Sequence, residues 1–262
     1  MLGAVTQSRS GRIEIAALAV LYAVYEVVRG ARRLDETAAL RHAREIADLE
    51  QRLHVFGEGS VQRLSARVSL LPDVLAYAYP ALHVGVSIGV LWWIYRHRRA
   101  AFPAVRTTLV ATTVLGLGGY LLFPAAPPRL AVPGLIDTVS RDTPLDLGST
   151  FLRRFYNPFA AVPSLHVAYA VVFGVAFVLL ARAPAARAAG AVYPVLVVIV
   201  VVATGNHFFF DAATGVGAAI GGAFITWLLW SLARLDAGRS LVEPHTRHPG
   251  NRRWHVSVRG QS

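Results

Sequence analysis

Long apolar runs decide the solvent of this chain before any motif is read. Six stretches, residues 13–28, 74–95, 107–123, 162–181, 188–204 and 212–232, are apolar over most of their length. A helix rises about 1.5 Å per residue, so about 20 such residues cross the hydrocarbon core of a bilayer. Backbone N–H and C=O groups find no water there, and a segment of this length satisfies them only as a helix. The expected fold is therefore all-α: a polytopic membrane protein, a six-transmembrane-helix bundle with an amphipathic surface helix. Composition agrees, with 55% hydrophobic and only 16% charged residues, where soluble domains carry about 25% charged. The first stretch lacks the form of a cleavable signal, because Glu26 interrupts it and Arg29, Arg32 and Arg33 follow.

The connections carry the remaining information. Residues 31–71 are polar, with Leu34, Ala38, Ile46, Leu49, Leu53 and Phe56 recurring at helical spacing. That pattern predicts amphipathic helices lying on the membrane surface or capping the bundle. Residues 124–161 form a second extramembrane segment rich in Pro and Gly, containing Asp137, Asp142 and Asp146. The chain thus divides into an N-terminus (1–12), a first span with surface helices (13–71), a catalytic transmembrane core (72–232) and a basic tail (233–262).

All 26 basic residues are Arg, and the chain has neither Lys nor Cys. P-loop, Schiff-base and Ser-Lys chemistries are excluded, as are disulfides and Cys-ligated metals. The net charge of +11 is distributed as in a membrane protein, so no nucleic-acid partner is expected. Arg9 and Arg12 precede the first stretch; Arg96, Arg98, Arg99 and Arg106 join the second to the third; Arg182 and Arg187 join the fourth to the fifth; Arg234 and Arg239 open the tail. The link from the fifth to the sixth has no Arg. The excess of Arg on cytoplasmic loops then puts both termini inside a cytoplasmic membrane and the third-to-fourth and fifth-to-sixth links outside.

Two His stand where hydrocarbon penalises them. His166 follows Val162-Pro163-Ser164-Leu165, and His207 follows Gly205-Asn206 ahead of Phe208-Phe209-Phe210-Asp211. Ionisable groups near a membrane interior mark functional sites. His207 and Asp211 are four apart, so on a helix the carboxylate reaches the imidazole. It then fixes one ring nitrogen and leaves the other as base or nucleophile. Pro163 suits a first helical position, which would turn the N–H groups of Ser164, Leu165 and His166 outward as an anion site. Arg129, after Pro127-Pro128, supplies a cation nearby, although an Arg snorkelling at the interface fits the same position.

Pro-Ser-Leu-His followed about forty residues later by His-x-x-x-Asp resembles the type 2 phosphatidic acid phosphatase superfamily. Within it, Pro-Ser-Leu-His in place of Pro-Ser-Gly-His, the preceding Ala126-Pro127-Pro128 and the polar Asn206 resemble the inositol phosphorylceramide synthase branch. The resemblance covers about residues 72–232. It implies a membrane-bound lipid phosphotransferase or phosphohydrolase, acting on a lipid phosphate or a phosphoalcohol headgroup through a phosphohistidine. His207 would be the nucleophile, Asp211 its orienting carboxylate and His166 the general acid and base. Ser164, with Leu165, Asn206 and Arg129, would hold the phosphoryl oxygens. The resemblance implies no metal and no cofactor, and a lipid-phosphate substrate among membrane lipids.

Two departures set this chain apart from the lipid phosphatases. Leu122 stands where they carry a Lys seven residues before the Arg, and Val201 where they carry an Arg six residues before the second His. Arg153 and Arg154 are candidates to replace that charge. The loss shifts weight from a phosphatase with water as acceptor toward the transferase branch; a non-catalytic membrane binding protein is the remaining alternative. His83 with Tyr77 and Tyr79 reads as bundle lining, Trp92 and Trp93 as an interfacial belt. Phe208 to Phe210 read as interface packing, and His245, His248 and His255 as a solvated tail.

Overall fold

A computed structural model describes residues 23, 36–142 and 159–240. The first apolar stretch (apart from Ala23), Arg153, Arg154 and the tail histidines lie outside the described residues. The helices are α1 (Glu36–Arg52), α2 (Glu58–Ser65), α3 (Leu71–Pro80), α4 (Val86–His97), α5 (Phe102–Leu122), α6 (Pro128–Ala131), α7 (Thr138–Asp142), α8 (Leu165–Leu180), α9 (Pro184–Ala203) and α10 (Phe209–Ser240). A π-helical turn, Ala81–Gly85, joins α3 to α4. The described residues contain no strand; extended pairing is confined to an isolated parallel bridge between Ala125 and Ala160. Contacts divide the chain into Met1–Thr226 and Trp227–Ser262. The site lies wholly in the first unit; the described part of the second continues α10, with Trp227, Leu229 and Leu235 exposed.

Four described helices are long and apolar enough to cross a membrane: Leu71–His97, Phe102–Leu122, Pro184–Ala203 and Phe209–Leu235. They are the long apolar helices of a multi-pass membrane protein. The six crossing segments expected from sequence are thus reduced to four among the described residues. The segment expected at 162–181 is the 16-residue α8, shorter than the usual crossing length of about 20 residues. Its helix starts late for a local reason: Ser164 is extended and its Oγ accepts from the Val167 N–H, so Ser164 is the N-cap. Pro163 therefore precedes the cap and is not the first helical residue. At the other end of α8, Arg98 Nε donates to the Leu180 carbonyl at 2.7 Å, placing a cation at the negative end of the helix. Trp93 stacks on Phe177 beside it, ring centroids 4.9 Å apart.

The polar segment forms α1 and α2, which cap the end of the bundle where His166 and His207 sit. The inward face of α1 differs from the expected one. Ala39, Ala43, Ile46, Ala47 and Glu50 are buried, whereas Leu49 and Leu53 are exposed, Leu53 at 62%. Small side chains win this face because backbone comes close to it. Ala126 N–H donates to the Ala39 carbonyl at 3.0 Å, and His42 Nδ1 meets the Pro124 carbonyl at 2.7 Å.

The two His-bearing segments meet through a close backbone approach. Ser164 N–H donates to the Asp211 carbonyl at 3.0 Å. One turn further along α10, a Cβ on Gly215 would collide with the Ser164 carbonyl oxygen and lie 3.4 Å from Ala168 N. Gly215 is thus a spacing residue, and a methyl group there forces the helices apart. Gly215→Ala is expected to destabilise the protein by about 1–3 kcal/mol and to reduce activity. Gly217→Ala, whose Cβ meets open space, serves as control. Thermal unfolding in detergent checks both, and equal melting temperatures would refute the spacing role.

Candidate active site

The His207 motif is assembled by the end of one helix and the start of the next. After α9, Gly205 takes φ +70, donates to Val202 O at 2.9 Å, and Asn206 N–H donates to Val201 O at 3.0 Å. These two bonds close a Schellman motif, which needs a left-handed residue at the Gly205 position. His207 N–H shares the same Val201 carbonyl at 3.1 Å. The chain thus turns within three residues and enters α10 at Phe209.

Asp211 then closes the first turn of α10. Its Oδ2 accepts from the Phe208 N–H at 3.0 Å and meets His207 Nδ1 at 3.1 Å. Both side chains are buried. With Nδ1–H held by the carboxylate, Nε2 is the nitrogen left for chemistry. Asp211 Oδ1 is buried with no hydrogen-bond partner among the described residues.

His166 faces this pair from α8, its ring 5.7 Å from the His207 ring. Tyr79 stacks on His166 at 4.4 Å and His83 packs against it at 4.2 Å. His83 comes from the π-helical turn, a local widening of the kind found at functional sites. The sequence reading of His83 and Tyr79 as bundle lining missed that they flank His166. The helical offset of four between them was the available signal.

Arg129 is brought to the same end of the bundle. Its N–H donates to the Gly205 carbonyl at 3.2 Å. In its side chain, Nη1 donates to Asn206 Oδ1 at 2.5 Å and Nε to Asp137 Oδ2 at 3.0 Å. The guanidinium side chain is only 2% exposed, so it is a buried, oriented group and not a snorkelling one. Asn206 is fixed in turn, its Nδ2 donating to Thr204 Oγ1 at 2.9 Å. Asp137 and Thr204 went unremarked as site residues in the sequence, since nothing local links them to Arg129 or Asn206.

Ser164 and Leu165 are both buried. The Ser164 N–H is already committed to the Asp211 carbonyl, so it is unavailable to an anion, contrary to the expectation of three outward amides. Leu122 is 86% exposed and Val201 is buried in the core, so both positions are apolar where the resembled phosphatases carry cations. Among the described residues no cluster of three or more His, Asp or Glu is arranged to hold a metal.

Arg129, His166 and the His207–Asp211 pair gather at one end of the bundle, giving an oriented imidazole, a second imidazole and a guanidinium. That set suits attack on a phosphorus centre. No curated protein and no solved structure matches the chain. A sequence model of the PAP2 superfamily matches residues 44–225, which is more than half of the chain and contains every one of these residues. The match begins well before residue 72, so α2 and part of α1 lie inside it. On this match the chain belongs to the PAP2 superfamily, a family of phosphatase-type enzymes.

Proposed function

We propose that the protein transfers a phosphorus-containing headgroup from a membrane lipid to an acceptor alcohol through a phosphohistidine at His207, in the manner of the inositol phosphotransferases. The observation that carries this reading is the 3.1 Å contact between His207 Nδ1 and Asp211 Oδ2, with the His166 ring 5.7 Å from that of His207. In the first step His207 Nε2 attacks phosphorus. The N–P bond forms, the bond to the lipid oxygen breaks, and protonated His166 gives its proton to that oxygen. Asp211 offsets the positive charge left on the His207 ring. In the second step His166 takes the proton of the incoming alcohol, whose oxygen displaces His207 from phosphorus. Arg129, oriented by Asn206, and the amides of Leu165 and His166 bear the charge of the non-bridging oxygens.

Charge supports a diester donor. A phosphomonoester carries about −1.5 to −2 at neutral pH, and a diester one charge. Leu122 and Val201 supply no cation, and Arg129 already shares its charge with Asp137 at 3.0 Å. The second reading, a lipid or polyprenyl phosphate phosphatase with water as acceptor, is favoured by the family match itself. In detergent micelles, phosphatidylinositol with an added lipid alcohol is expected to turn over faster than phosphatidic acid. The opposite ranking would establish the phosphatase reading.

His207→Asn should abolish both turnover and the acid-labile phosphoenzyme while the protein still accumulates in the membrane. Phosphate labelling at another residue, or normal turnover by the variant, would overturn the assignment. Asp211→Asn keeps the ring anchored but favours the wrong tautomer. A loss of up to about 10⁴ in kcat is expected by analogy with the Ser-His-Asp triad, and a nearly full rate would make Asp211 merely structural.

The site is proposed to open on the extracytoplasmic side of the cytoplasmic membrane, because the Arg-rich turns lie at the other ends of the helices. Leu130, half-exposed in α6, and Ala100, exposed in the turn after α4, report the two ends, and the chain has no Cys of its own. A membrane-impermeant maleimide on intact cells should label Leu130→Cys and spare Ala100→Cys. The reverse pattern would place the chemistry in the cytoplasm.

A further inference from the structure

Glu50 and Glu58 are buried acids that the chemistry above leaves unused, at 2% and 0% exposure. They come from α1 and α2, and their oxygens reach the start of α10. Phe209 N–H donates to Glu58 Oε1 at 3.0 Å, and Phe210 N–H to Glu50 Oε1 at 2.6 Å. Glu58 Oε2 accepts from the Gly57 N–H at 3.0 Å. With Phe208 N–H on Asp211, each of the three amides opening α10 meets a different carboxyl group. A helix start leaves such amides without internal partners, and here two of the three are met by side chains from distant segments.

The fourth oxygen, Glu50 Oε2, is buried with no hydrogen-bond partner among the described residues, and the Glu58 carboxyl is its neighbour. Burial first, then the Glu58 carboxyl, push the Glu50 pKa from 4.5 up to about 9, with the Asp211 charge acting in the same direction. Glu50 is therefore a neutral acid at pH 7.

Phe209 and Phe210 immediately precede Asp211, so whatever fixes their amides fixes the carboxylate that holds His207. We propose that Glu50 and Glu58 are positioning residues of the active site, a buried pair of acids through which α1 and α2 hold the first turn of α10 and thereby the His207–Asp211 contact. This inference rests on the reading of His207 as nucleophile. Misplacement of a reacting group by about 1 Å costs about 100-fold in rate, which sets the scale of the effect.

The test uses the full chain in detergent and the faster of the two lipid probes named above. Glu50→Ala removes the acceptor and is expected to lower kcat about 10- to 100-fold with KM within about twofold, because the site is loosened while lipid contacts stay. Glu50→Gln mimics the protonated acid and is expected to recover kcat to within about threefold of the wild type. It should also change the pH dependence of stability. A carboxyl whose pKa is raised on folding, here from 4.5 to about 9, makes the folded state lose stability as pH climbs through that window. Thermal unfolding of Glu50→Gln should lack this decline.

The proposal is overturned by wild-type kcat in Glu50→Ala, by a loss confined to KM, by a Glu50→Gln no better than Glu50→Ala, or by an undiminished decline in Glu50→Gln. Should Glu50→Ala fail to accumulate, Glu50→Gln decides alone: a folded but inactive variant refutes the pair. Full activity of His207→Asn would instead refute the nucleophile reading, so the two failures are distinguishable.

Discussion

Three amide groups open α10, and the structure spends a carboxyl group on each of them. Asp211 takes that of Phe208, Glu58 that of Phe209 and Glu50 that of Phe210. The positive end of a helix favours negative charge, and in a buried setting such amides cannot be left to water. The His207–Asp211 pair is built on this turn. A side chain that caps the helix also orients the imidazole, so the fold and the candidate site draw on the same oxygen atom.

Around that turn the remaining site is held by backbone. The Schellman motif at Gly205 delivers Asn206 and His207, and the Gly205 carbonyl receives the Arg129 amide. The Ser164 amide on the Asp211 carbonyl joins the His166 motif to the His207 motif. Each of these contacts depends on a backbone that comes unusually close, which is why Gly215 faces Ser164 and alanines face the 124–126 segment. The polar helices α1 and α2 complete the arrangement from above, and the family match from residue 44 includes both acids they contribute.

Charge in the site is deliberately spare. Arg129 is buried between Asp137 and Asn206, so its guanidinium is oriented before any ligand arrives, at the expense of part of its field. Val201, in the position of a phosphatase Arg, lies in the apolar core and lends only its carbonyl to the turn.

Several features were legible in the sequence because they are local. The four-residue offset puts Asp211 within reach of His207, although His207 stands before the helix and the contact is made at its cap, and apolar runs mark the bundle helices. The start of α8 was misjudged because capping by Ser164 outweighs the proline preference, and the inner face of α1 because close backbone contact selects alanine over leucine. Tertiary structure alone decided the rest. Arg129 meets Asn206 across 77 positions, Glu58 meets Phe209 across 151 and Glu50 meets Phe210 across 160. No periodicity encodes such meetings: they arise where buried polar groups on different segments must find one another, since neither water nor the local helix can satisfy them.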